Sequence, residues 1–356
     1  MHIRLTAALI AATLIVAAPH GQAPAPRDFK IIRLDPALDE IIAPDARLET
    51  LGEHFGLTEG PVWVNDPAGG YLAFSDLTAN VIYKRTTDGR LSVLAENIYD
   101  GPDLLNVGQQ TRSGRMAVII IGANGITLDR QGRFVVCSPA ARVVMRLEKD
   151  GTRTILADRY EGKRFSGPND VIVRSDGAIY FTDGNSGLRG GANSPAREID
   201  RNGFYLIKDG QVTRLDDNRD FPNSFPNGIA LSEDERHLYV TFGRKIQRYD
   251  VRGDGTVTNR QEFLDVEGND GMKVDRRGNV YSTTGAGPGE VRITAPDGRR
   301  LGTIQLPQLA GEPRRQICAT NVAFGDADAH GLYMSACNML YRVRLKAPGI
   351  RPGPTR

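Results

Sequence analysis

Short apolar runs separated by polar turns repeat along most of this chain. Six of these runs open alike, with an oxygen-bearing side chain immediately before the first apolar residues. They read Glu59-Gly60-Pro61-Val62-Trp63, Asn124-Gly125-Ile126-Thr127-Leu128, Asn169-Asp170-Val171-Ile172-Val173, Asn227-Gly228-Ile229-Ala230-Leu231, Asp270-Gly271-Met272-Lys273-Val274 and Asn321-Val322-Ala323-Phe324. Each run meets a turn and then a second apolar run, as in Leu128-Asp129-Arg130-Gln131-Gly132-Arg133-Phe134-Val135-Val136. Runs this short, bounded by turn residues, predict strands rather than helices. The openings are 65, 45, 58, 43 and 51 residues apart. A unit of roughly 40–50 residues holding several strands is the period of a propeller blade.

The pattern therefore predicts an all-β fold, a six-bladed β-propeller over residues 51–346. In the first blade the expected strands are Val62–Val64, Tyr71–Ser75, Val81–Lys84 and Leu91–Ala95, with an Asp88-Gly89 hairpin turn. Two stretches break the rhythm. Residues 99–121 and 185–201 are expected to be insertions, the first lying on the same face as the openings and covering part of a pocket. Ahead of the blades, residues 24–50 are expected to form an extended arm or one short helix, anchored by Leu34, Leu38, Ile41 and Ile42. Ring closure needs a strand from before Leu51 or after Leu345, and the pattern leaves both open. The Pro-rich tail, 347–356, is expected to be disordered.

Composition narrows the class. The chain has 356 residues, with 45 basic against 43 acidic side chains and 40 glycines. Balanced charge offers no electrostatic case for nucleic acid or for an anionic membrane. Residues 1–23 read as a signal peptide: His2 and Arg4 precede an apolar stretch from Leu5 to Ala18, too short to span a membrane. The expected location is the periplasm or the outside of the cell. Three cysteines occur, none at metal-site spacing. Cys318 and Cys337 flank an expected hairpin, so they are read either as a disulfide or as two buried thiols. Cys137 is read as a core thiol.

The first strand of each propeller blade lines the central channel, so the six openings gather at one mouth. Glu59, Asn124, Asn169, Asn227, Asp270 and Asn321 would then form one ring of carboxylate and amide oxygens. Hard oxygen donors suit one divalent cation, with Ca²⁺ the first expectation and Mg²⁺, Mn²⁺ or Zn²⁺ the alternatives. The bland reading of each Asn or Asp before Gly is a turn former. Against it, the ordinary turn pairs (Asp88-Gly89, Asp150-Gly151, Asp176-Gly177, Asp297-Gly298) fall midway through the units, at another phase of the repeat.

Glu59-Gly60-Pro61-Val62-Trp63, Pro168-Asn169-Asp170-Val171, Pro226-Asn227-Gly228, Asp270-Gly271-Met272 and Thr320-Asn321-Val322-Ala323-Phe324 together resemble the gluconolactonase, regucalcin and senescence-marker family. The resemblance implies a six-bladed propeller with one divalent metal in the channel. It implies Glu59, Asn227 and Asp270 as ligands, with Asn169 as a further ligand or a substrate contact. Asn169, Asn124 and Asn321 would line the substrate pocket, and Asp270 would handle the proton of the attacking water. Some members carry an Arg two residues before the position of Asn169; here that position is Gly167. The expected activity is metal-dependent hydrolysis of a small-molecule lactone or related ester. The alternatives are a phosphotriesterase-like hydrolase, a non-enzymatic calcium-binding exported propeller and, more distantly, a lyase of the strictosidine-synthase-like type.

Overall fold

The computed structural model describes residues 28–102, 106–266, 268–308 and 317–354; the expected signal segment, 1–23, lies outside them. Six antiparallel sheets follow one another along the chain. Blade I holds Thr58–Val64, Tyr71–Asp76, Val81–Thr86 and Leu91–Glu96, close to the strands expected from the pattern. The inner strands of blades II to VI are Ile126–Leu128, Pro168–Val173, Pro226–Leu231, Met272–Val274 and Asn321–Gly325. The chain is an all-β six-bladed propeller.

The N-terminal arm supplies the closing strand. Leu48–Gly52 pairs antiparallel with Met339–Arg344 and becomes the outer strand of blade VI. Its end hands the chain directly to blade I, so blade VI is built from one strand before blade I and three strands at the other end of the ring. The arm also forms both elements that the sequence offered as alternatives. Lys30–Arg33 adds a fifth strand to blade V, and Pro36–Glu40 is a short 3-10 helix. Asp35 caps that helix by accepting from the Ala37 N–H, and Leu38 is buried beneath it.

The hydrophobic core is divided into wedges between neighbouring blades. Val62, Ile82, Ile126 and Val136 lie between blades I and II, and Val135, Phe165, Phe181 and Tyr205 between II and III. Trp63 stacks on Tyr333 with ring centroids 5.6 Å apart, across the seam of blades I and VI. Trp63 is thus the core anchor that its sequence position suggests. Alternate residues of each strand face opposite sides, so one strand feeds the wedges on both of its flanks.

The tail corrects the sequence reading. Residues 347–354 are ordered and run across the far ends of the inner strands. Gly349 N–H bonds the Ala329 carbonyl, Gly349 bridges to Asp275, and Arg351 reaches the Asn65 side chain at 3.0 Å. A Cβ on Gly349 would stand 1.7 Å from Phe324, so only glycine passes this point. Proline content suggested disorder. Backbone partners on blades V and VI hold the segment instead.

The cysteines resolve into one disulfide and one thiol. Cys318 and Cys337 are bonded, and Cys137 is buried and free. The disulfide packs with Leu57, Leu77 and Val118. Val118 belongs to the 99–121 insertion, whose described part contains a hairpin, Gln110–Ser113 with Met116–Ile119.

Candidate active site

A repeat in the second strands holds the openings in place. Ser75, Thr182, Thr241, Thr283 and Ser335 each stand beside the opening of their own blade. Four of them reach the next blade. Ser75 Oγ donates to the Asn124 carbonyl (2.8 Å), Thr182 Oγ1 to Asn227 (2.6 Å), Thr241 Oγ1 to Asp270 (3.4 Å) and Thr283 Oγ1 to Thr320 (2.8 Å). Thr320 Oγ1 then donates to the Thr58 carbonyl at 2.8 Å and closes the ring. In blade II the same slot holds Cys137, whose backbone bonds Asn124 and Gly125. Five of the six seams between neighbouring openings are therefore spanned by a hydroxyl hydrogen bond, three of them buried, where the exclusion of water strengthens them.

Register shifts occur in the inner strands between Glu59 and Val62, between Pro168 and Val171, and between Pro226 and Ile229. Bulges of this kind re-aim side chains and are common beside active sites. Glu59, Asn124, Asn169 and Asn321 are buried, while Asn227 and Asp270 keep partial exposure.

The carboxylates interact across the channel. Glu59 Oε2 accepts from the Gly60 N–H at 2.7 Å and from Asn321 Nδ2 at 3.1 Å. The Asn227 side chain beside Asp270 acts to lower its proton affinity. Burial raises Glu59 to about 7, helped by the charge of Asp170 and opposed by the Gly60 N–H, Asn321 and Lys273. Asp270 is pushed well above the ordinary carboxylate range, first by burial and then by the charges of Glu59 and Asp170. Gly285, at φ +58, leaves room for the Asp270 carboxylate, whose Oδ2 would lie 3.0 Å from a Cβ there. Glu59, Asn321 and Asp270 thus form one interacting group, with the Asn227 side chain beside Asp270. The openings that carry Asn124 and Asn169 are tied to each other through the backbone: the Gly125 N–H bonds the Asn169 carbonyl at 2.7 Å.

Two residues that the sequence reading passed over belong to this group. Asp170 is buried, with Oδ2 3.5 Å from Asn321 Nδ2 and 3.7 Å from Lys273 Nζ. Lys273 Nζ also lies 3.4 Å from Asn321 Oδ1. A signal for Asp170 existed. Aligning the openings puts it in the slot of Gly60, Gly125, Gly228 and Gly271, where a carboxylate is out of pattern. No comparable signal marked Lys273.

The donor chemistry fits a hard divalent cation. Among the described residues no group of three or more His, Cys, Asp or Glu side chains could hold a metal ion by itself. A cation here needs amide oxygens beside Glu59 and Asp270. Such a set suits Ca²⁺, which takes six to eight oxygens in flexible geometry.

The second insertion shapes the rim. Val107 bridges to Leu188, and the Gln109 N–H bonds the Ser186 carbonyl, which joins the two insertions. Asp183 anchors the turn leading into Asn169 by accepting from the Ser166 and Gly167 N–H groups at 3.0 and 2.8 Å. Burial raises Asp183 to about 7 against those bonds and the nearby Arg142 charge. A folded value above the unfolded one, about 3.9, means that the folded state holds the proton more tightly. This group's contribution is then complete below about pH 4 and is lost as pH rises to about 7, by up to roughly 4 kcal/mol. Asp183→Asn should flatten that part of the stability–pH curve, measured by urea unfolding. An unchanged slope would remove Asp183 as its source.

Residues 57–338 match the SMP-30/gluconolactonase/LRE-like family. A gluconolactonase of Zymomonas mobilis is 33% identical over 90% of this chain and 87% of its own length. The chain belongs to this family. Family resemblance extends to a lactonohydrolase of Aspergillus oryzae, 25% identical over 80% of the chain and 67% of that protein. It extends also to the structure of a gluconolactonase from Xanthomonas campestris, with 28% identity, a TM-score of 0.69 and coverage of 92% and 99%. Membership bears out the resemblance drawn from the openings.

Proposed function

We propose that the protein is a divalent-cation-dependent lactone hydrolase. The observation that carries this reading is the group of carboxylates and amides at the strand openings, with buried Glu59 held by the Gly60 N–H and the Asn321 amide and its charge acting on Asp270. The names of the family relatives support the lactone class. Glu59, Asn227 and Asp270 would hold the cation, with Asn169 beside them. When bound, such an ion polarises a substrate carbonyl and stabilises the negative charge that develops on it.

The chain's own residues do the rest. The Asn227 side chain lies beside the Asp270 carboxylate, and the Gly60 N–H and Asn321 amide hold Glu59. Asp270 takes a proton from water as the water oxygen bonds the lactone carbonyl carbon. The ring C–O bond then breaks, and the proton passes to the departing alkoxide, which gives a hydroxy acid. Burial and the Glu59 charge raise the proton affinity of Asp270 in the cation-free channel. Asn169 and Asn124 orient the substrate ring. The Cys318–Cys337 disulfide supports work in an oxidising compartment, in keeping with the exported reading of the N-terminus.

A panel of lactones, assayed with Ca²⁺ and with excess EDTA, tests the proposal. Turnover of at least one lactone is expected, lost in EDTA and recovered when Ca²⁺ or Mn²⁺ is restored. Absence of cation-dependent turnover across the panel would replace the hydrolase with a binding propeller.

A further inference from the structure

Of the ionisable side chains on the inner strands and their openings, three are acidic and one is basic. The acids are Glu59, Asp170 and Asp270, and the base is Lys273. Lys273 arises on blade V, yet its Nζ lies 3.7 Å from Asp170 Oδ2 of blade III and 3.4 Å from Asn321 Oδ1 of blade VI. It also donates to its neighbour's carbonyl, Met272, at 3.0 Å. The ammonium is mostly buried and the Asp170 carboxylate almost wholly so, with side-chain exposures of 19% and 3%. Long lysines usually carry the charge out to water; this one carries it inward.

The consequences run through Asn321. Its oxygen faces Lys273 and also accepts from the Val322 N–H at 2.9 Å. Its Nδ2 therefore faces Glu59 at 3.1 Å and Asp170 at 3.5 Å. An ammonium on one side and two carboxylates on the other allow an amide only this orientation. Asn321 thus acts as a donor to Glu59 and does not offer its oxygen at the mouth. With all four ionisable groups charged, the channel carries an excess of two negative charges, which one divalent ion balances.

We propose that Lys273 is the channel's resident cation, a positioning residue that neutralises Asp170, orients Asn321 against Glu59, and so restricts the channel to a single divalent ion. The inference rests on the cation reading of the mouth given above. Without Lys273, Asp170 would keep its hydrogen bonds from the Val171 N–H (2.9 Å), the Ile229 N–H (3.4 Å) and Asn321 (3.5 Å) but lose its counter-charge, leaving a buried anion open to a second ion.

Two measurements on the full chain test this. In metal-free protein, Lys273→Met leaves Asp170 without its counter-charge, and Tm should fall by about 5 °C or more. Adding Asp170→Asn should recover most of that loss. A parental Tm in Lys273→Met, or a double variant no more stable than the single one, would overturn the pairing. If Lys273→Met does not fold, a folded double variant supports the pairing and an unfolded one overturns it. In calorimetric titration with Ca²⁺, the parent should take up one equivalent, Lys273→Met two, and the double variant one. One equivalent at parental affinity in Lys273→Met would overturn the single-ion role. No uptake by any of the three, together with recovered stability in the double variant, would remove the cation reading and keep the Lys273–Asp170 pair.

Discussion

Asp270→Asn should lower turnover of the best lactone by roughly 10²- to 10⁴-fold, the range that a positioned general base supplies. Steady-state kinetics would measure it. The substitution is nearly isosteric and should leave the fold intact, because Gly285 already leaves space around the side chain. The backbone bonds that hold this opening do not involve the carboxylate: the Asp270 N–H bonds Thr283, and its carbonyl accepts from the Gly228 N–H. An amide offers one oxygen in place of two and cannot take up a proton at neutral pH. Because Asp270 is read as both ligand and base, Ca²⁺ affinity should weaken as well, and the variant should be assayed at saturating Ca²⁺. Turnover that stays at the parental rate under those conditions would move the base elsewhere.

Gly167→Arg should be the most destabilising substitution at the rim. Some family members carry Arg at this position, so likeness alone would suggest that the change is tolerated. In this chain a Cβ at 167 would stand 2.4 Å from the Gly187 N and 3.0 Å from the Ser186 N, both backbone atoms. No rotamer relieves a clash at Cβ. Either the 185–201 segment moves or the variant loses about 3 kcal/mol or more, the size expected of overpacking against fixed backbone. A fall in the urea midpoint with unchanged slope would report it. Parental stability in Gly167→Arg would show that the insertion yields easily.

Much of the candidate site was legible in the openings. Glu59, Asn227 and Asp270 recur at one phase of a repeat, and a propeller carries that phase to one mouth whatever the intervening loops do. The second-strand repeat of Ser75, Thr182, Thr241, Thr283 and Ser335 was equally present in the sequence, and Cys137 sat in the same slot. Its meaning needed the register that sets each hydroxyl beside the neighbouring blade's carbonyl. Asp170 was visible as an acid among glycines, though its direction was not.

Local periodicity by itself determined the architecture, the number of blades and the ring of polar openings, because strand, turn and blade lengths follow from contacts close in sequence. Tertiary structure alone decided the rest. Leu48–Gly52 rather than the tail closes the ring, since both termini reach the seam and only pairing with Met339–Arg344 separates them. The tail is ordered because carbonyls of distant blades await its N–H groups. Lys273 turns inward because carboxylates more than a hundred residues away in sequence outbid water for its charge. Such outcomes depend on groups brought together only by the closed ring, and no stretch of sequence contains both partners.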